Sequence, residues 1–406
     1  SLAESLVEEL EENYSQTDPV LAEPLAQLAA QYSAVGRYND AHRILDRATQ
    51  IVRINGGLYT RAQLPYVRQK IENYAASGDW GSTRQQMEHI FWLYRRKSRV
   101  ADSQLIADLM HLSNMHLRGV AEDSSSTQSF HFRQAMNTNW MALRLGEALY
   151  GKEDERLIPL IYDLLRQYHL QLVAVNRGGS LGFQLRQVFP GSDWARDRAE
   201  IRSYFYFTGR RLLSQITAIH LAPENQDLEA LAMARLYTAD WQVLFNREAE
   251  ALESYQQAYT ALLDLQPEKV DQYFSQPRLL PIPHYHSSIS AALAETDRKE
   301  QIEGSSSNLS HSFSFTEWDA AFPYARQPYQ VPNYDSLKST QALFSFNLSG
   351  VADIPLWVNS RSAPRFSTPM NMQLLDSKSA VGDEQALLMQ RVGLLKFRPK
   401  LLDGLP

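Results

Sequence analysis

The sequence predicts a mainly α protein: helical hairpins over about residues 1–270, a proline- and serine-rich linker over 271–337, and a small α+β domain over 338–406. Three observations predict it. Apolar residues recur at helical spacing through the first two thirds of the chain, and one residue skeleton returns along it. After Pro267, prolines and serines accumulate before apolar and polar residues begin to alternate.

The first hairpin is expected over Leu25–Ile51. Leu25, Leu28, Ala29 and Tyr32 share one helical face, Gly36 interrupts it, and Ala41, Ile44, Leu45 and Ala48 resume it. The skeleton Tyr32, Gly36, Tyr38, Ala41, Leu45, Ala48 returns 42 positions later as Tyr74, Gly78, Trp80, Thr83, Met87, Ile90. A third copy reads Asn246, Glu248, Ala251, Tyr255, Ala258, with asparagine in place of the turn glycine and glutamate in place of the aromatic. Residue types at these offsets resemble the tetratricopeptide repeat, although the interval differs from that family's usual ~34 residues. The resemblance implies an α-solenoid of antiparallel helix pairs, closely packed at small residues, with aromatics between repeats, serving as a non-enzymatic scaffold for a protein partner. Further helices are expected over 102–117, 132–150, 156–175 and 199–220, and the last hairpin over 228–265.

Pro277, Pro281, Pro283, Pro323, Pro328 and Pro332, with the run Gly304–Asn308, predict an extended linker holding one short helix near Ser288–Ile302. Alternation over Leu343–Gly350 and the β-prone Ile354–Val358 then predict a strand hairpin. Asp383 and Glu384 open a helical pattern through Leu387, Leu388, Val392 and Leu395, which Phe397-Arg398-Pro399 closes before a turn at Asp403-Gly404. This order, with Phe397, Arg398, Pro399, Asp403, Gly404 and Pro406 as its most specific residues, resembles the C-terminal domain of TonB-type energy transducers of Gram-negative bacteria over about a sixth of the chain. The resemblance implies a periplasmic adaptor that docks to an envelope component by strand addition. Arg398 is expected at the helix end and Phe397 beneath the sheet. The sequence departs from that pattern at Pro406, where the family's last strand begins, so a strand from the linker near Tyr329–Tyr334, from a partner or from further chain is expected to complete the sheet. A fixed subunit of a larger envelope machine is the alternative.

Composition excludes several chemistries. The chain has no cysteine, hence no disulfide, thiolate metal site or cysteine nucleophile, which fits an oxidising compartment. Residues 338–406 carry eight Lys and Arg against five Asp and Glu, and the rest of the chain is −9, so no concentrated basic face points to nucleic acid. No apolar run approaches the ~18 residues of a membrane span. The start at Ser1, without methionine, raises the expectation of a signal segment already removed. Gly178-Gly179-Ser180-Leu181-Gly182 matches the serine-hydrolase elbow, yet no strand-helix alternation surrounds Ser180, and an envelope hydrolase stands only as a remote alternative. His284 and His286 are two apart in a proline-flanked loop, and His111 and His116 are five apart, so neither pair predicts a metal. No catalytic residue, metal or cofactor is expected. Tyr32, Tyr38, Tyr74 and Trp80 read as repeat packing, whereas Tyr59, Trp92, Tyr94, Arg95 and Arg96 lie off the skeleton and are candidates for a peptide-binding face.

Overall fold

Helix punctuation explains most of the architecture. The computed structural model describes residues 2–97, 102–124, 126–177, 198–299, 309–316, 339–348, 366–368, 370–377 and 395–406. Contacts divide the chain into Ser1–Leu112 and Ser113–Pro406.

The first unit holds α1 (Leu2–Asn13), α2 (Ala22–Ala34), α3 (Tyr38–Gly56), α4 (Leu64–Ala76), α5 (Trp80–Lys97) and the opening of α6 (Ser103–Glu122). Its helices start on a repeated device. The Asp18 carboxylate accepts from Val20 N at 3.0 Å and opens a 3-10 turn over Pro19–Leu21 that runs into α2. The Thr60 hydroxyl accepts from Ala62 N at 3.3 Å and does the same over Arg61–Gln63 before α4. Asp102 caps α6 by accepting from Leu105 N at 2.7 Å. Positions 18, 60 and 102 keep the interval of 42, so the caps repeat together with the apolar skeleton.

The turns repeat as well. Gly36 (φ 76°) and Gly78 (φ 78°) end α2 and α4 in the left-handed region. Behind them Arg37 N donates to Tyr32 O at 2.8 Å, and Asp79 N donates to Tyr74 O at 2.9 Å, the six-to-one bond that satisfies an otherwise orphaned helix-end carbonyl. The core of the first hairpin is Leu21, Leu25, Leu28, Ala29, Ala41, Leu45, Ala48 and Ile51, with Val7 and Tyr66 packed against it. Small residues at Ala29, Ala41 and Ala48 let the helix backbones approach.

The second unit continues through α7 (Gln128–Tyr150), α8 (Ile158–Arg177), α9 (Arg198–Leu221), α10 (Leu228–Leu244), α11 (Glu248–Leu265), α12 (Pro267–Phe274) and α13 (Ile289–Lys299). The turn between α10 and α11 carries Asn246 at φ 57°, with Arg247 N donating to Gln242 O at 2.9 Å. Asparagine tolerates this conformation better than other residues with a Cβ, which is why it stands where the other hairpins have glycine. Ala251, Tyr255 and Ala258 are buried at the positions that Ala41, Leu45 and Ala48 hold in α3, and Thr83, Met87 and Ile90 in α5.

Strands follow. β1 (Arg278–Leu279) pairs antiparallel with β5 (Phe397–Arg398), and β2 (Leu309–Thr316), β3 (Ser339–Asn347) and β4 (Met370–Ser377) form an antiparallel sheet in the order β2-β3-β4. The expected β3 partner, Ile354–Val358, lies outside the described residues, and β3 instead pairs with segments that read as linker and as polar connection. The period-two pattern of Leu309-Ser310-His311-Ser312-Phe313-Ser314-Phe315-Thr316 was the available signal, obscured by the prolines around it. The short helix expected near 288–302 is α13. Ser180, the helical pattern expected over 383–394 and the stretch Tyr329–Tyr334 all lie outside the described residues.

The C-terminal residues differ most from expectation. Arg398 and Phe397 are in a strand, and Arg398 does not sit at a helix end. Leu280 N donates to Lys396 O at 2.8 Å and Leu401 N donates to Phe274 O at 3.2 Å, so residues 395–406 are built into the helical unit. The physical reason is a buried carboxylate on α10.

Candidate functional site

Asp240 is that carboxylate. It projects from α10, nearly fully buried, and Arg398 reaches it with two donors: Nε to Oδ1 at 2.9 Å and Nη2 to Oδ2 at 2.5 Å. Tyr255 of α11 donates to the same Oδ1 at 2.8 Å, and Arg398 Nη1 donates to the Tyr273 hydroxyl of α12. The guanidinium carbon lies 5.7 Å and 5.5 Å from the Tyr237 and Tyr273 ring centres. Burial opposes the charge of Arg398, but Asp240 and then Tyr273 outweigh it and hold the group protonated well above its ordinary range. Burial, then Asp240, pushes the Tyr255 phenol well up. Arg398 is 1% exposed, so this is an internal lock, closed to ligands.

A second contact explains a departure from the skeleton. Glu248 stands where α3 starts with Tyr38 and α5 with Trp80, and it accepts from the Ser367 hydroxyl and from Lys396 Nζ, the latter at 3.3 Å. Lys396 also donates to Thr368 Oγ1 at 2.8 Å. The aromatic is replaced by glutamate at the position that receives the C-terminal segment. Asp403 (φ 50°) and Gly404 (φ 79°) make the turn after it, and a Cβ on Gly404 would meet the Tyr259 ring at 3.3 Å; Pro399 carries the chain from β5 towards that turn.

The histidines serve packing. Tyr285 of the His284-Tyr285-His286 run stacks on His220, with a hydroxyl-to-Nε2 distance of 3.2 Å, while the Tyr237 hydroxyl donates to His284 O at 2.9 Å and accepts from His286 N at 3.0 Å. His116 and His131 meet at 3.1 Å between their Nδ1 atoms, and His131 Nε2 faces Asp123 at 2.9 Å. With Asp123 accepting from Nε2–H, His131 Nδ1 accepts from His116 Nδ1–H, and burial followed by His131 keeps the His116 imidazole neutral, far below its usual pKa. Among the described residues no group of three or more His, Cys, Asp or Glu is placed to hold a metal. No helix among them is long and apolar enough to cross a membrane.

Three of the off-skeleton residues of the first unit, Tyr59, Trp92 and Arg96, make an open site. Tyr59, in the loop after α3, and Trp92, on α5, meet edge to face with centres 4.9 Å apart. Arg96, one turn after Trp92, lies over both rings, 4.3 Å from the centre of Tyr59 and 5.2 Å from that of Trp92. Both rings are 41% exposed. Behind them Arg53 of α3 donates from Nε to Gln63 Oε1 at 2.8 Å and from Nη2 to His89 Nε2 at 3.0 Å, which fixes α3, the 3-10 turn and α5 together. Burial, then Arg53 and Lys70, lowers the pKa of His89, consistent with its Nε2 accepting. Tyr94 belongs elsewhere: it is buried near Arg68 and Asp108, a core residue. The cluster was legible in part, because its residues do not fit the skeleton; that Tyr59 meets Trp92 is a tertiary fact. It sits on α5 and on the loop that follows α3, and the exposed Leu58 and Ile54 flank Tyr59 in sequence.

Comparison with solved structures finds a Podosopora anserina protein assigned as a kinesin light chain with nearly identical TPR-like repeats, 14% identical, covering 61% of this chain and 98% of that one at a TM-score of 0.39. A variant of the same protein gives 13%, 62%, 98% and 0.38. That likeness is too low to carry a conclusion, and the hairpin architecture rests on the caps and turns described above. No protein-family model matches the chain, and no curated protein matches it in sequence.

Proposed function

We propose that the protein is a non-enzymatic interaction scaffold of tetratricopeptide-like helical hairpins, and that Tyr59, Trp92 and Arg96 form the surface at which it takes a protein partner. The exposed aromatic pair beneath a guanidinium carries the reading. Tyr, Trp and Arg dominate binding hot spots because they offer large rigid area and directional donors at modest entropic cost. The two rings also leave exposed apolar area beside the cation, the composition that binding surfaces concentrate. The cell envelope is the proposed setting, supported by the absence of cysteine. Docking by strand addition is proposed for the β2-β3-β4 sheet, whose outer strands have no further neighbour among the described residues.

The test is affinity capture from a membrane fraction with the wild-type chain and with Trp92→Ala, both verified as folded. The expected result is a discrete protein retained by the wild type and lost by the variant. Equal capture by both would remove the site from the proposal. Fractionation of the native protein checks the envelope setting, and recovery in the cytosol would end it.

A further inference from the structure

The open arginine site has a chemistry that selects its ligand. Arg96 is exposed, and among the described residues its contacts are the Tyr59 and Trp92 rings. The guanidinium lies within cation–π range of both rings, and among the described residues its N–H donors meet no carboxylate. A planar fork of this kind is matched by a carboxylate, which takes two parallel hydrogen bonds from it. Residues 51–100 carry nine Lys and Arg against three Asp and Glu, a balance of +6, whereas residues 1–50 carry three against nine, a balance of −6.

Several of these cations are already paired. Arg61 meets Asp102 at 3.0 Å, Arg68 meets Asp108 at 2.7 Å, and Lys70 meets Asp46. Arg96 has no such carboxylate among the described residues. Beside it stand exposed apolar surfaces, those of Trp92, Tyr59 and, in the same loop, Leu58.

We propose, resting on the scaffold reading above, that the Tyr59–Trp92–Arg96 site binds an acidic peptide segment of a partner protein, with an Asp or Glu carboxylate on Arg96 and an adjacent apolar side chain against the Trp92 and Tyr59 rings. The carboxylate provides selectivity and salt sensitivity, and the apolar neighbour provides contact area.

The experiment selects a random peptide library on the full chain, in parallel with Arg96→Glu, Trp92→Ala and, as a control for the same charge change elsewhere on the first unit, Arg43→Glu. Circular dichroism melting verifies each variant. The expected result is enrichment of peptides that place Asp or Glu beside Leu, Ile or Phe. Synthetic copies of the enriched peptides bind at least about tenfold more weakly to Arg96→Glu and to Trp92→Ala, and unchanged to Arg43→Glu. Binding also weakens from low to high salt. Enrichment of basic or purely apolar peptides, lost with Trp92→Ala, overturns the acidic ligand and leaves the interaction surface standing. Acidic peptides that bind Arg96→Glu as well as wild type overturn it too. No enrichment on any folded form removes both the ligand and the surface. Enriched peptides that match the acidic residues 1–50 identify a second copy as the partner and replace the heterologous one.

Discussion

Arg96 and Arg398 each rest on two aromatic rings, and only one of these sites is finished. Arg398 lies between Tyr237 and Tyr273 and is met by both oxygens of Asp240, in a place from which water is excluded. Arg96 lies over Tyr59 and Trp92 on the surface, and among the described residues no carboxylate meets it. The first arrangement shows what completes such a site: a bidentate acid, with tyrosine hydroxyls taking the remaining valences. The second has the cation and the rings ready and leaves the acid to come from outside. The same local chemistry is thus a structural lock where the chain supplies both charges, and a recognition element where it supplies one.

The largest effect is expected at the lock. Arg398→Met leaves Asp240 buried and uncompensated, and should cost about 3–5 kcal/mol in denaturant unfolding. Adding Asp240→Leu should recover part of that loss, because no charge is then left stranded. A double variant as unstable as the sum of its singles would show that the pair is not a closed unit.

The buried side also titrates. His169 packs against Trp241, and burial lowers its pKa to about 4, below the ~6.5 of an unfolded histidine. As pH falls from ~6.5 towards 4 the unfolded chain takes up a proton that the folded chain refuses, so stability falls over that window, by about 3–4 kcal/mol at most from this group. Unfolding midpoints across the window should therefore drop for wild type and drop less for His169→Leu. Equal slopes would remove His169 from the account.

The hairpin turns give an intermediate scale. Gly36→Val and Gly78→Val meet no atom within 4 Å of the added Cβ, so only the left-handed backbone resists them, at about 1–2 kcal/mol each. Asn246→Gly should be close to neutral in the same thermal melts, since φ 57° suits glycine at least as well. An unchanged melting curve for both valine variants would refute the turn geometry.

The smallest stability change is expected at the open site. Trp92→Ala and Arg96→Glu should each stay within about 1 kcal/mol of wild type, because both side chains are exposed, while partner capture is lost. A large destabilisation by Arg96→Glu would place Arg96 with Arg398, as a folding residue, and would dissolve the contrast.

How much of this could be read beforehand differs between the two regions. The turn residues Gly36, Gly78 and Asn246, and the small positions Ala41, Ala48, Ala251 and Ala258, stand out in the sequence because backbone sterics and helix approach restrict which residue types fit. The caps Asp18, Thr60 and Asp102 carried the same interval and were equally readable. Arg398 was visible as part of a motif, but its partner lies 158 positions away, and nothing local distinguishes Asp240 from any other helical acid.

By itself the sequence determined the mainly helical class, the interval of 42, the hairpin turns, the absence of thiol chemistry and the short helix near 288–302. These follow from local rules: helical period, left-handed turns, side-chain caps and composition. Tertiary structure alone decided that the C-terminal segment enters the helical unit as a strand, that β3 pairs with β2 and β4, and that Tyr59 meets Trp92 beneath Arg96. Each of those depends on which distant groups share a dielectric environment or a ladder of hydrogen bonds, and the energy of a buried charge or an unpaired strand edge is set by neighbours in space.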